Sequence, residues 1–188
     1  MPATVLYMSM SLDGFIAGPN ERLDNPLGDG GRRLHDWSFT DKMAINGQVF
    51  REFMATGAIV AGSGTFEPAH GWGGDHHGVP IWVLSRHEPR IDVSRWPLVT
   101  YTNDLNRAIA DAKRAAGERN VLVHGAATAQ RALAAGLLDE LELHIIPVLI
   151  GQGRRLFDHL APDHIELERT RILEGEDGVT HMHYRVQR

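Results

Sequence analysis

Asn120-Val121-Leu122-Val123-His124-Gly125-Ala126-Ala127-Thr128 is the stretch that decides the fold. A short apolar run turns on small residues directly into a helical pattern that stops at Gly136. At such a junction the first helical N–H groups point outward unpaired, and the helix dipole favours an anion. Gly125 and Ala126 would let a phosphate come close to the backbone. The residues leave two readings open: a phosphate-binding turn, or a tight turn that packs closely and binds nothing. Neither a G-x-G-x-x-G fingerprint nor a P-loop is present.

Working outward, the same pattern recurs. Ala58 to Ala61 is a predicted strand that runs into Gly62-Ser63-Gly64-Thr65, with hydroxyls at Ser63 and Thr65. Val79 to Leu84 is another, ending in Ser85-Arg86. Thr4 to Met8, Leu98 to Tyr101 and Leu141 to Val148 are further predicted strands. A helix is predicted from a cap at Ser38 or Thr40 to Ala55, with Ile45, Val49 and Phe53 as its apolar stripe. A second, capped by Thr102, Asn103 or Asp104, puts Leu105, Ile109 and Ala112 on one face and stops at Gly117. Ile165 to Ile172 and Val179 to Val186 flank Gly175-Glu176-Asp177-Gly178, a hairpin signal. Strand–helix alternation closed by a hairpin predicts an α/β protein with a mixed, mostly parallel sheet and a C-terminal antiparallel hairpin. The turns at Gly62, Ser85 and Gly125 would then share the carboxyl edge of the sheet, where open α/β sheets bind ligands.

Length and composition restrict the function. The 188 residues contain no linker rich in Pro, Gly or Ser, so residues 1–188 are expected to form one domain. No Cys is present, which excludes disulfides and thiolate chemistry. A net charge of −5 argues against a nucleic-acid surface. The opening residues lack the pattern of a signal peptide, and no apolar stretch can span a bilayer, so a cytoplasmic protein that binds no membrane is expected.

Two counts remain unusual, 20 Gly and 11 His. Ser11 to Trp37 is a long irregular segment rich in Gly and Pro, and such segments are functional or mobile. It begins with Asp13, which has two readings. A carboxylate with a pKa raised by burial could orient a substrate or supply a proton. Alternatively, Asp13 caps the turn before Gly14. His35, Asp36 and Trp37 close the segment and would face a pocket. His76 and His77 sit in a Gly-rich loop and are expected to be exposed. His181 and His183 share one strand face. No complete metal-ligand set can be assembled, so no metal is expected. Asp139-Glu140 has the character of a solvated turn.

Ser11-Leu12-Asp13-Gly14-Phe15-Ile16-Ala17-Gly18-Pro19-Asn20 resembles the opening motif of the dihydrofolate reductase-like superfamily. The closer likeness is to the reductase domain of the bifunctional deaminase–reductase of riboflavin biosynthesis and its free-standing bacterial relatives. Gly31 to Trp37, Gly62 to Glu67, Trp72 with Pro80 to Ser85, and His124 to Gln130 follow in the family's order. The long block Gly136 to Phe157 is the most specific match, and Val179-Thr180-His181 with Tyr184 completes it.

The resemblance implies a three-layer α/β/α fold, NADPH across the strand ends, and hydride transfer to a small pyrimidine-, pterin- or carbonyl-type substrate. A phosphoribosylamino-uracil is one such substrate. It also implies a homodimer. The residues carried over for the cofactor are Phe15, Ile16 and Ala17 beside the nicotinamide, Gly62, Ser63 and Thr65, Ser85 and Arg86, and His124, Gly125, Ala126, Ala127 and Thr128. Asp13 becomes the catalytic candidate, and Asp13, His35 and Trp37 the substrate contacts. Two departures stand out. Ser63 replaces an Arg common in relatives, and that contact is typically worth about 1.5–3 kcal/mol. His124-Gly125 stands where relatives carry Gly-Gly, a peptide link that is sometimes cis. These departures motivate an alternative: a nucleotide- or small-molecule-binding module without catalysis.

Overall fold

The computed structural model describes residues 2–39, 44–160 and 164–187. In chain order the elements are β1 (Thr4–Ser11), β2 (Phe15–Ala17), α1 (Ile45–Met54), β3 (Ala58–Gly62), α2 (Ser63–Phe66), β4 (Ile81–Leu84), β5 (Val99–Thr102), α3 (Leu105–Ala116), β6 (Val121–His124), α4 (Ala126–Ala134), β7 (Glu140–Ile146), β8 (Arg154–Arg155), β9 (Leu167–Glu174) and β10 (Thr180–Val186). Among the described residues no helix is long and apolar enough to cross a membrane.

Eight strands form one sheet in the order β5-β4-β3-β6-β1-β7-β10-β9. β5, β4, β3, β6, β1 and β7 are mutually parallel, and β10 and β9 are antiparallel additions. The central strands Ala58–Ala61 and Val121–Val123 are buried on both faces, which explains their unbroken apolar sequences. One face is covered by α3 and α4, through Leu105, Ile109, Ala112, Ala129 and Ala132. The other is covered by α1 and by a 3₁₀ segment, Gly31–Phe39, through Phe53, Val49, Leu34 and Trp37. The layers are those expected. The segment after Ser11 is less irregular than its composition suggests, because β2 pairs with β8 and Gly31–Phe39 is helical.

Helix starts show where local patterns suffice. Asp104 caps α3 by accepting from the Arg107 N–H at 3.0 Å. α1 starts later than expected, at Ile45. Thr40 lies outside the described residues, and the Ser38 hydroxyl instead donates to the His35 carbonyl at 2.7 Å. The first N–H groups of α1 are met from far away: Ile45 N and Asn46 N donate to the Glu176 carboxylate at 3.1 and 3.0 Å. Asp139 is likewise no solvated turn residue. Its Oδ2 accepts from Thr4 N, Thr4 Oγ1 and Lys113 Nζ at 2.8–2.9 Å, tying β1, α3 and the start of β7 together.

Candidate functional site

Parallel pairing puts the carboxyl ends of β1, β3, β4 and β6 on one edge. Ala61 lies opposite His124, and Gly62 opposite Leu84. The turns at Gly62–Thr65, Ser85–Arg86 and Gly125–Thr128 are thereby neighbours. Two of them interlock. A methyl group on Gly125 would stand 2.3 Å from Thr65 Oγ1, and one on Gly62 would stand 3.0 Å from Thr128 Oγ1. Gly125 also has a φ of +93°, a conformation that side chains rarely adopt. No side chain caps α4, whose first backbone bond is Ala129 N to Gly125 O at 3.0 Å. The N–H groups of the preceding turn therefore open on the edge, beside two buried or half-buried hydroxyls. Chemically this edge offers backbone donors and the Thr65 and Thr128 hydroxyls, groups of the kind that can hold an anion.

The other carried-over residues occupy distinct places. Ser85 is engaged in its own turn, donating to His87 O and accepting from His87 N at 2.7 and 3.1 Å. Arg86 is exposed at the end of β4. Phe15, Ile16 and Ala17 are buried in β2, and the Arg155 guanidinium lies 4.4 Å over the Phe15 ring. All described peptide bonds are trans, His124–Gly125 included.

Asp13 departs from the proton-donor expectation. Its carboxylate accepts from Ser11 Oγ at 2.6 Å, Ile150 N at 3.1 Å and Gly151 N at 2.7 Å. The Ser11 hydroxyl first, and then the two amides, hold its pKa below the usual carboxylate value. A general acid needs the opposite shift. Asp13 instead latches the Gly-rich loop after β7 onto the loop after β1, while Gly14 N closes the expected turn on Ser11 O at 3.0 Å.

Trp37, expected to face a substrate, is only 3% exposed. Its Nε1–H donates to Ser9 Oγ at 2.9 Å, and its ring packs on His144 and His181 at centroid distances of 4.4 and 4.9 Å. Its apolar surface is buried against these rings and is not open to solvent. His35 is half-buried, and burial lowers its pKa against the pull of Asp36.

The histidines converge far more than their sequence spacing suggests. His144 and His181 face each other on β7 and β10, with Nδ1 atoms 2.7 Å apart, and His181 Nε2 meets Asn46 Oδ1 at 2.9 Å. The His124 ring turns to the α1 side of the sheet, among Tyr7, Phe53, Trp72 and His76. His76 and His77 are not freely exposed. They pack on Phe53 with their Nδ1 atoms 2.8 Å apart. Burial, and then neighbouring imidazoles, drive His124 down to about 3 and His76 to about 4. Burial also takes His181 to about 4 and His144 well below the ordinary value. Near neutral pH these four rings are uncharged. Among the described residues no group of three or more His, Cys, Asp or Glu could hold a metal ion.

One residue of the edge was not singled out in the sequence. Arg154, on β8, holds its Nη1 atom 3.5 Å from where a Gly64 methyl would stand. The signal was available: a cation directly after Gly151-Gln152-Gly153 within the family-like block.

A family model described as the RibD C-terminal domain matches residues 2–180. No curated protein matches the chain. Among solved structures, a protein from Shewanella sp. PV-4 provisionally assigned to riboflavin biosynthesis is similar at 24% identity, covering 99% of both chains with a TM-score of 0.76. A pyrimidine reductase-like protein from Corynebacterium diphtheriae is similar at 16% identity, covering 100% of this chain and 92% of its own, with a TM-score of 0.66. The dihydrofolate reductase of Enterococcus faecalis, complexed with NADP(H), is similar at 14% identity over 99% and 97% of the two chains, with a TM-score of 0.62. These likenesses bear on the fold, which is of the dihydrofolate reductase type.

Proposed function

This chain belongs to the RibD C-terminal domain family, and from that premise we propose that it is an NADPH-dependent reductase of a small pyrimidine-, pterin- or carbonyl-type substrate. The observation that carries the reading is the interlocked cradle at the strand edge. At Gly62 and Gly125 the two turns pack too closely for a methyl group, 3.0 Å from Thr128 Oγ1 and 2.3 Å from Thr65 Oγ1, which gathers backbone N–H groups and both hydroxyls at one edge. A diphosphate suits such an edge, since it is bound by N–H donors and hydroxyls set close together.

Gly62, Ser63, Thr65 and Gly125 to Thr128 would hold the diphosphate of NADPH. Arg86 would pair with the ribose phosphate, and Phe15 to Ala17 would border the nicotinamide. When bound, the reduced nicotinamide supplies a hydride. Asp13 acts as a positioning residue, since it fixes the loop that carries Phe15. His124 places a neutral ring beside His76 and Trp72 at the end of β6 and can donate or accept a hydrogen bond without bringing charge. Residues 1–188 form one domain in this reading. A homodimer would cover the outer strand β9, where Leu167 and Ile172 are exposed.

One observation favours a second reading, binding without turnover: both oxygens of the Asp13 carboxylate already accept hydrogen bonds within the fold. A single sample decides between them. NADPH is titrated against the fluorescence of the four Trp, then oxidation of bound NADPH is followed with pterin, pyrimidine and small carbonyl compounds. Saturable quenching and turnover of one compound support the reductase. Quenching without turnover supports the second reading, robust turnover refutes it, and no binding of NADPH or NADH at millimolar concentration refutes the reductase.

A further inference from the structure

We propose that Arg154 is the cation that neutralises the diphosphate bridge of the bound dinucleotide, replacing from another strand the arginine that Ser63 leaves out. The inference rests on the nucleotide-binding reading above. Ser63 starts the turn with a hydroxyl and no charge. The structure brings a guanidinium to the same turn: Arg154 Nη1 reaches to 3.5 Å of the Gly64 methyl position.

Three features make this a built position. The backbone of Arg154 is fixed by pairing with Ala17 in β2, beside the residues assigned to the nicotinamide. Its Nε donates to Glu21 Oε2 at 2.7 Å, which sets the plane of the guanidinium. The Nη groups donate to no other side chain or carbonyl among the described residues, so their N–H fork is free for two phosphate oxygens. A pocket of about 540 Å³ opens there, lined by Ser63, Gly64, the cations Arg22, Arg90 and Arg154, and the carboxylates Glu21, Asp24 and Glu67.

The place along the nucleotide follows from strand order. β2 packs on β1, whereas β4 with Arg86 lies on the other side of β3. The Gly62–Thr65 turn therefore has Arg154 on its nicotinamide side and Arg86 on its outer side. The inner cation belongs to the diphosphate and the outer one to the ribose phosphate.

The test measures Kd for NADPH and NADH by tryptophan quenching in wild type, Arg154→Ala, Arg154→Gln and Arg154→Ala with Ser63→Arg. Losing a charge-assisted bidentate contact is expected to raise both Kd values by the same factor, at least about tenfold. Ser63→Arg is expected to restore much of that affinity in the Arg154→Ala background, and inorganic pyrophosphate to compete less well against NADPH in Arg154→Ala than in wild type. Arg154→Gln keeps the side-chain volume and serves if the alanine variant is unstable, with thermal midpoints recorded for each. Unchanged affinities in folded variants overturn this inference and leave the nucleotide reading standing. A loss confined to NADPH overturns it as well, by moving Arg154 to the ribose phosphate. No binding by wild type overturns both readings.

Discussion

Acid should dismantle this fold well above the pH at which its carboxylates titrate. The unfolded chain's histidines bind protons near pH 6.5. In the fold His124 is held down to about 3, His76 and His181 to about 4, and His144 well below its ordinary value. A histidine with a lowered folded pKa contributes full stability above about 6.5, and that stability drains away as pH falls toward the folded value. Between pH 6.5 and 4.5 His124 and His181 each cost roughly 2 kcal/mol. His76 is only half-buried, so its share is smaller. Together these three cost on the order of 5 kcal/mol, comparable with the whole stability of a marginal domain, about 5–15 kcal/mol, and His144 acts in the same direction. Glu142 works in the opposite sense, because burial raises its pKa and the fold binds its proton first.

Urea unfolding followed by far-UV circular dichroism, repeated from pH 7 to 4.5, gives the stability at each pH. The slope against pH should correspond to about three protons taken up on unfolding near pH 5.5. His124→Asn should reduce that number by about one. A stability that changes by less than about 1 kcal/mol over the same range would refute the reasoning, since it would mean that the rings charge inside the fold.

Two substitutions test the architecture elsewhere. Gly125→Ala puts a methyl 2.3 Å from Thr65 Oγ1 at a φ of +93°, so a loss of about 2–3 kcal/mol is expected together with weakened NADPH binding. An unchanged thermal midpoint would contradict the interlocked turns. Glu176→Gln removes the charge that meets two N–H groups of α1. A lower thermal midpoint is expected, with faster amide exchange at Ile45 and Asn46 seen by hydrogen exchange. Unaltered exchange there would show that the remote cap is dispensable.

The layered α/β order was legible because it is written locally. Apolar runs of four or five residues, Gly stops and the Asp104 cap each lie within one window of sequence. The neighbouring turns at Gly62 and Gly125 were legible once parallel pairing was assumed. What escaped is long-range. The His144–His181 contact joins residues 37 apart, and only strand register puts them face to face. Asp13 was visible as a candidate, but its engagement by Ile150 and Gly151 depends on a loop more than 130 residues away. Arg154 lies within the family-like block Gly136 to Phe157, yet its reach to Gly64 follows only from the β2–β8 pairing.

The Glu176 cap has a consequence for synthesis. Ile45 and Asn46 leave the ribosome about 130 residues before the carboxylate that completes their helix. At about 5–20 residues per second that is a wait of roughly 7–26 s. During this interval α1 carries an apolar face without the hairpin that closes over its start. The nascent chain can form β3 to β6 with α3 and α4 as it emerges, but the layer that buries Trp37, His144 and His181 must be assembled late. Molecular chaperones that bind emerging apolar segments would therefore find α1 and the first strand β1, whose neighbours β6 and β7 also emerge late, exposed longest.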